Sequence, residues 1–407
     1  MKKKEIEELE KELNDLFSDI QVISPNDFID NGSMLNFEMD GGRVIEYSQI
    51  GQVAIIKIAS ILFNQTWFNR NFTYKELEDK ILQFGANNYL NIHCARLFKL
   101  EEYLKSFVVE EVEHKVISIL GGIGNCEKEL NFGDFKIYSS DNIRSYLKYN
   151  GTITDDFLKN FKNKMLIETS VFSSNKKRAE EIANERIENF INIITFFIFS
   201  KTMKYQIYLG LSNLNVLNSS LVNYENNLFR MNNRKGPLFD IDLKKYSESN
   251  DKKLNRVFEI EKKIWSNQAN DIEKRIYNSI QWAGRALNER FNDKKFVQAM
   301  FGMEALLQEK NKNSVISPSI TYQMSEVLIF CLGKNYDEKI KIEKNFKQLY
   351  TTRSNIAHGE RTQVSEYESN LVLDYLRHII NYFLENDLFE TFSNVKEFIE
   401  REKYNKS

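Results

Sequence analysis

Cysteine, histidine and proline are scarce in this chain of 407 residues, which contains three, four and three of them respectively. The cysteines Cys94, Cys126 and Cys331 lie far apart and show no Cys-x-x-Cys or Cys/His ligand spacing. The sequence therefore gives no reason to expect a disulfide framework or a structural zinc site. We expect instead three small buried thiols in a reducing cytoplasm.

Long apolar runs are also missing. The longest run, in "INIITFFIFS", is about half the length that a membrane span requires. The N-terminal "MKKKEIEELEKEL" has no apolar stretch like that of a signal peptide and is too acidic for a transit peptide. These features predict a cytoplasmic protein that has no membrane partner.

The chain has no excess of positive charge, since its formal net charge is −2 and its pI is about 6.2. Proteins that coat nucleic acid nonspecifically neutralise many phosphates and are usually basic. A protein of that class is not expected here, although a local basic site is compatible with the composition.

Apolar and aromatic residues are plentiful. Hydrophobic residues make up 42% of the chain and aromatic residues 13%, a composition typical of globular proteins and unlike that of disordered ones. A chain of this length suits two domains, each with its own core. We predict an α+β protein with an amphipathic helix over residues 1–20, a mixed α+β sensor or regulatory domain over 21–245 and an all-α bundle over 246–407.

The first twenty residues have the pattern of an amphipathic helix. Apolar residues recur at spacings of three and four and form a narrow seam on an otherwise charged surface. They are Ile6, Leu9, Leu13, Leu16 and Ile20. Such a seam suits docking on the protein's own body, which we favour, or a short coiled coil between two copies.

The region up to the predicted boundary mixes helix and strand patterns. Thr73 followed by Glu76 predicts a capping box. Residues 105–140 combine β-branched and aromatic residues with glycines, which predicts two or three strands. We interpret their "GGIG" as a turn and not as a phosphate loop, because no Lys-Ser/Thr pair follows it. A helical apolar face over residues 175–201 precedes "YQIYLGL", which predicts another strand.

The polar segment "RMNNRKGPLFDIDLKK" marks the predicted domain boundary near residue 245. Beyond it the apolar spacing is helical throughout. Predicted N-caps at Asn292 and Ser317, and a predicted helix end near Gly333, divide this region into helices with short connections. Short connections favour an antiparallel bundle. Its fourth helix is predicted over residues 336–358.

One charged residue occupies a core position of that fourth helix. The apolar residues Ile342, Phe346 and Leu349 are followed at the next stripe position by Arg353, and then by Ile356. A guanidinium group stays charged at any relevant pH. On the inward face of a helix it therefore needs an acidic partner, a bound anion or a cleft.

A histidine follows this arginine after five positions, at His358. On an ideal helix the two side chains point about 140° apart. One helix cannot easily aim both at a single atom. A C-cap at Gly359 that loosens the last turn would remove this obstacle, and so would a second copy of the helix that completes the site.

An arginine and a histidine without nearby metal ligands suit RNA cleavage by transesterification. In that reaction the ribose 2′-hydroxyl attacks the neighbouring phosphate, imidazole transfers protons, and guanidinium stabilises charge on the phosphoryl oxygens. DNA lacks this hydroxyl and cannot react by the same route. The structural alternative is that Arg353 simply pairs with an acidic residue such as Glu304.

The segment "YTTRSNIAHGE", which ends a helix of the predicted bundle, resembles the HEPN superfamily and in particular its Apea-like branch. The similarity includes the upstream helix "FVQAMFGMEALLQEK", which centres on Glu304, and covers roughly residues 255–390. The resemblance implies a homodimer through the C-terminal bundle that acts as a metal-independent endoribonuclease without a cofactor, often in antiviral defence or as a toxin. RNA would be the substrate, tRNA by family analogy, and a phage or host trigger would act on the N-terminal domain.

Carried over by position, the resemblance makes Arg353 and His358 the catalytic pair. Glu304 would orient Arg353. The other supporting residues are Tyr350, Ser354 and Asn355. Ser354 departs from the family pattern, in which Asn, Asp or His directly follows the arginine. This departure favours the competing hypothesis of a non-catalytic module that binds a nucleotide or RNA and dimerises.

Four further residues are weaker candidates for contacts with RNA. Arg361 and Arg377 flank the predicted cleft in sequence and are candidates for phosphate contacts, although solvated surface charge is the simpler interpretation. Trp265 and Trp282 could stack on bases. Helical periodicity favours packing for Trp282.

Overall fold

A computed structural model provides the structure of the chain. The residues that it describes are 1, 3–19, 21–23, 35–39, 43–93, 103–104, 107, 109–124, 126, 128–140, 164–199, 206–210, 217–223, 228–234, 240–249, 251–308, 319–360, 363–387 and 389–404. Six of these segments are described by their backbone alone, namely 21–23, 35–39, 43–47, 85–93, 217–223 and 228–234.

Thirteen α-helices lie within the described residues. In chain order they are α1 (Lys3–Asp19), α2 (Gln49–Phe63), α3 (Thr66–Asn71), α4 (Tyr74–His93), α5 (Lys176–Ile198), α6 (Lys244–Ser247), α7 (Lys252–Trp265), α8 (Asp271–Asn288), α9 (Asn292–Leu307), α10 (Ile320–Leu332), α11 (Tyr336–Ala357), α12 (Glu366–Glu385) and α13 (Phe392–Tyr404). None of these described helices is both long enough and apolar enough to cross a membrane.

Ten β-strands form three small sheets in the same described residues. The strands are β1 (Gln21–Ile23), β2 (Leu35–Met39), β3 (Arg43–Tyr47), β4 (Val112–Gly121), β5 (Leu130–Phe132), β6 (Phe135–Ser139), β7 (Met165–Ser173), β8 (Tyr208–Leu209), β9 (Leu217–Asn223) and β10 (Leu228–Arg234). The sheet orders are β1-β3-β2, β9-β10 and β5-β6-β7-β4-β8. Strand β6 pairs antiparallel with both β5 and β7. The chain is therefore α+β with a helical C-terminal region, as predicted.

The predicted strands between residues 105 and 140 are confirmed as β4, β5 and β6. The "GGIG" segment bends at the end of β4, where Gly122 has a φ of +77° that favours glycine. Backbone hydrogen bonds join it to Ile241, which donates to the carbonyl of Gly122 and accepts from the N–H of Gly124. No helix begins among the residues that the structure describes at this bend, so the interpretation as a turn is confirmed.

Capping boxes begin three of the helices. At α4 the Glu76 N–H donates to the Thr73 hydroxyl (3.2 Å) and the Thr73 N–H donates to the Glu76 carboxylate (2.8 Å), as predicted. The same reciprocal pair begins α8 and α12, where the partners are Asn270 with Glu273 and Ser365 with Glu368. Each box satisfies two N–H groups that the helix itself leaves unpaired.

Two predicted N-caps are wrong by one or two residues. Helix α9 begins at Asn292 itself, with Phe291 in the cap position and no side-chain cap. Helix α10 is capped by Ser319, whose hydroxyl accepts from the Tyr322 N–H at 3.3 Å, while Ser317 lies outside the described residues. Neighbouring polar side chains offer similar acceptors, so local sequence does not decide which of them caps the helix.

The chain divides into two compact units, and the first consists of Met1–Val116 and Ser170–Asn184. In this unit α1 packs in one core with α2 and α4. The seam residues Leu9, Leu13 and Leu16 are completely buried. Helix α1 therefore docks on its own chain, which is the interpretation that we favoured from its apolar seam.

The second unit consists of Ile117–Thr169 and Glu185–Ser407, so the division does not follow the predicted boundary near residue 245. Its part of the five-stranded sheet and the C-terminal helices share one hydrophobic core. In that core the ring of Phe258 on α7 lies with its centroid 5.7 Å from that of Phe132 on β5. This difference from the predicted boundary has a physical reason, because these strands bury apolar residues that the bundle covers.

Candidate functional site

Helix α11 carries the arginine and histidine that the sequence singled out. Asn335 caps its N-terminus through a side-chain hydrogen bond. Its buried stripe consists of Ile342, Phe346 and Leu349, as predicted. Arg353 follows them on the helix and is half-buried, so its charged group lies at the border of the core.

Arg353 forms an ion pair with Glu304 of α9. The Arg353 Nε lies 3.0 Å from Glu304 Oε1, and Nη2 donates to Oε2 at 3.3 Å. The predicted contact between these two side chains is thus confirmed. The arginine side chain is 28% exposed and that of the glutamate 16% exposed, so water still reaches the pair and screens it in part.

Two aromatic side chains surround this ion pair. The Arg353 guanidinium lies over the ring of Phe301, 5.9 Å from its centroid. Burial, together with the negative charge of the nearby Glu304 carboxylate, raises the pKa of Tyr350. The phenol therefore stays protonated and can donate. Phe301 was not among the residues that the sequence singled out, although its position three residues before Glu304 places both on one helix face.

Neighbouring side chains hold the end of α9 that carries Glu304. The Arg275 Nη1 on α8 donates to the carbonyl oxygens of Gln308 (2.8 Å) and Leu306 (3.3 Å), which are left unpaired at the end of α9. The hydroxyl of Ser279 donates to the carbonyl of Gly302 at 2.9 Å. These bonds tie α9 to α8 and restrict where the Glu304 carboxylate can move.

His358 stands at the C-terminal end of α11, where the helix closes with a Schellman motif. Gly359 has a φ of +75°, its N–H donates to the Ile356 carbonyl (3.1 Å), and the Glu360 N–H donates to the Asn355 carbonyl (2.8 Å). This confirms the predicted C-cap at Gly359. The His358 side chain is exposed.

The candidate residues do not all meet in one chain. Arg353, Glu304 and Tyr350 form one cluster, and Ser354 and Asn355 are half-buried on the same last turn of α11. Within the described residues no hydrogen bond or ion pair connects the His358 imidazole to that cluster. A site that uses both the Arg353 and the His358 side chain therefore needs more than the contacts within the described part of one protomer.

Two of the weaker candidates for contacts with RNA, Arg377 and Trp282, pack against aromatic rings. Arg377 is half-buried and its guanidinium lies 4.4 Å from the ring centroid of Phe199. Burial lowers the pKa of Arg377. Trp282 is half-buried and contacts Phe301 edge-on, with ring centroids 5.1 Å apart. Arg361 lies outside the described residues.

The cysteines and the acidic residues do not indicate a metal centre in the described part of the chain. There, no group of three or more His, Cys, Asp or Glu side chains could hold a metal ion. Cys126 and Cys331 are buried free thiols, and burial raises the pKa of Cys331 to about 12. Cys94 lies outside the described residues.

Comparison with known proteins does not add a relative to this description. No family model matches the chain, and neither a curated protein nor a solved structure is significantly similar to it. The function of the site must therefore be argued from the chemistry of its own residues.

Proposed function

We propose that this protein is a metal-independent endoribonuclease with a HEPN-like C-terminal bundle, and that Arg353 and His358 carry its chemistry at a site shared by two protomers. The ribose 2′-hydroxyl would attack the adjacent phosphate, with His358 transferring protons and Arg353 stabilising the charge on the phosphoryl oxygens. A role in antiviral defence or as a toxin, with a trigger acting on the N-terminal region, belongs to the same proposal.

The observation that carries the proposal is how Glu304 holds Arg353. A guanidinium has five N–H donors arranged as a planar fork. Glu304 engages Nε and Nη2. In the described part of the chain no hydrogen bond occupies Nη1, which leaves it available for a phosphate oxygen. A guanidinium fixed on one edge and open on the other binds an oxyanion with little loss of rotational freedom.

The position of His358 supports the shared site. Its imidazole is exposed at the end of α11, where it can exchange protons with a substrate. On an ideal helix Arg353 and His358 would point about 140° apart. A two-fold axis beside α11 would bring the arginine of one protomer near the histidine of its partner.

The experiment is RNA cleavage by the purified protein in EDTA, followed by analysis of the product ends. The 2′-hydroxyl route leaves 2′,3′-cyclic phosphate and 5′-hydroxyl ends. We expect Arg353→Ala and His358→Ala each to abolish cleavage while the folded structure, measured by circular dichroism, is retained. Arg401→Ala and His378→Ala are matched controls, because both residues are exposed on other helices, and they should cleave normally. Cleavage that persists in Arg353→Ala and His358→Ala would overturn the proposal.

A non-catalytic module is the second candidate function, and two observations favour it. Glu304 already neutralises Arg353, and Ser354 stands where active HEPN proteins carry a larger polar residue. In this alternative the same arginine and histidine bind a nucleotide or RNA without cleaving it, and the bundle dimerises. RNA that is bound, and is recovered without new ends, would support the module over the nuclease.

A further inference from the structure

Three aromatic rings along helices α8 and α9 each lie against a cation. The Lys294 ammonium lies 5.0 Å from the ring centroid of Phe291. The Arg285 guanidinium lies 5.0 Å from that of Trp282. The third ring is Phe301, which contacts Arg353. We call these side chains, except Arg353, the aromatic–cation row. They are Phe291, Lys294, Trp282, Arg285 and Phe301.

The row ends at the candidate site, where Phe301 lies against Arg353. Lys294 and Phe301 are seven residues apart on α9, so they share one face of the helix. Trp282 on α8 contacts Phe301 directly, with an interplanar angle of 63°. Phe291 thus marks the start of this face at the connection between α8 and α9, and Phe301 marks its end at the guanidinium of Arg353.

Exposure and charge make this row available to an anionic partner. Phe291 is 56% exposed, and Lys294 and Arg285 are also exposed. Within the described residues neither cation pairs with a carboxylate. The nearby Glu289 uses its Oε1 to accept the backbone N–H groups of Arg290 (2.8 Å) and Phe291 (3.1 Å). Asp293 is the other acidic neighbour in sequence.

A single strand of RNA fits this combination better than a second copy of the protein. Unpaired bases stack on aromatic rings and on arginine planes, while cations beside the rings pair with the phosphates. A duplex keeps its bases stacked on one another and offers no free face to Phe291. A two-fold contact centred on the row would bring Lys294 and Arg285 close to their own copies, which is unfavourable.

We propose that the aromatic–cation row binds an unpaired RNA strand and leads it to Arg353. Bases stack on Phe291 and on the Arg285–Trp282 pair, and Lys294 and Arg285 contact the phosphates between them. The inference rests on the proposed function only in taking RNA as the substrate, since binding by the row does not require cleavage.

The test measures binding of the full-length wild-type protein to a 2′-O-methyl RNA, which the 2′-hydroxyl route cannot cleave. A labelled single strand of about ten nucleotides and a blunt duplex of the same sequence are compared by fluorescence anisotropy. We expect Phe291→Ala to weaken single-strand binding about 5- to 100-fold. Arg285→Gln should weaken it and reduce the slope of log affinity against log salt by about 0.7. Binding of the duplex should change little in Phe291→Ala.

Matched controls separate the row from general surface effects. Tyr367→Ala removes a ring that is 70% exposed on α12, and Lys274→Gln removes an exposed cation of α8 outside the row. Neither should alter single-strand binding. Unchanged binding in Phe291→Ala and Arg285→Gln would overturn the inference. Equal losses for duplex and single strand, or a change of oligomeric state in size-exclusion chromatography without a change in RNA binding, would overturn it as well.

The outcome is separate from that of the proposed function. If single-strand binding depends on Phe291 and Arg285 while Arg353→Ala and His358→Ala still cleave RNA, the row is supported and the assignment of Arg353 and His358 as the catalytic pair fails. If cleavage requires Arg353 and His358 but single-strand binding is unchanged in Phe291→Ala and Arg285→Gln, the nuclease assignment stands and the inference about the row fails.

Discussion

At the scale of single residues, the contact between Arg353 and Glu304 explains why a cation can occupy the inward stripe of α11. The stripe predicted that Arg353 needs a partner, and Glu304 provides it from a different helix. The pair is compatible both with catalysis and with a structural role. An ion pair at this exposure contributes about 1 kcal/mol or less to stability, so a change in stability alone would not distinguish the two roles. A measurement that separates the two roles must therefore follow cleavage as well as unfolding.

Replacing Glu304 tests whether it orients Arg353. In Glu304→Gln the charge that holds the guanidinium is lost, and we expect RNA cleavage to fall about 10- to 100-fold, as for other misplaced catalytic groups. The free energy of unfolding, from urea denaturation, should change by about 1 kcal/mol or less. Glu304→Asp keeps the charge and should retain part of the activity. An unchanged kcat in Glu304→Gln would mean that the pair is only structural.

At the scale of helices and turns, the local sequence is most informative where neighbouring residues interact. The box at Thr73 and Glu76 and the C-cap at Gly359 were both predicted from residues a few positions apart. Their hydrogen bonds form within a single turn of the chain. The N-cap of α9 at Phe291 was not predictable in the same way, since its side chain makes no cap hydrogen bond.

The end of α11 provides a test of how much His358 depends on its helix cap. Gly359 has a φ of +75°, and a Cβ atom added there would meet nothing within 4 Å. Gly359→Ala should therefore destabilise the protein by about 1 kcal/mol through backbone strain alone, and it should lower RNA cleavage as His358 shifts. Gly359→Asn, which tolerates this conformation better, is the matched control and should lose less of both. Equal stability of Gly359→Ala and wild type in urea would contradict this expectation.

A second test at this scale concerns the buried ion pair between α5 and α7. The Arg186 Nε lies 2.9 Å from Glu261 Oε1, and the two side chains are 6% and 0% exposed. The Arg186 guanidinium also lies 5.3 Å from the ring centroid of Phe135. Arg186 also pairs with Asp134 at 3.3 Å, so it is the arginine replacement that leaves the buried Glu261 carboxylate without its partner. Arg186→Met should therefore cost about 3 to 5 kcal/mol in the free energy of unfolding.

The double variant is the informative control for that ion pair. Arg186→Met combined with Glu261→Met removes both charges and should recover much of the lost stability. Urea denaturation of the wild type, the two single variants and the double variant gives the coupling between the side chains. Additive losses would show that the pair does not act as a unit.

At the scale of the whole molecule, the proposed nuclease needs two copies. Mixing Arg353→Ala with His358→Ala protomers gives a mixed dimer that has one intact shared site and one site that lacks both groups. We expect this mixture to regain activity, up to about half the wild-type rate in each mixed dimer. Each variant alone should stay inactive. A mixture that stays inactive, although subunit exchange is shown with differently tagged copies, would place both groups in one protomer or rule out the shared site.

The sequence by itself determined the type of most elements, the stripes that they bury and several of their caps, because these depend on residues three or four positions apart. The sequence offered Glu304 as one example of an acidic partner for Arg353, and only the tertiary structure shows that the contact forms, since the two residues lie 49 positions apart in the chain. The tertiary structure also decided that sheet and bundle share one core instead of dividing near residue 245. Contacts over such distances depend on how helices pack, and no local pattern encodes that packing.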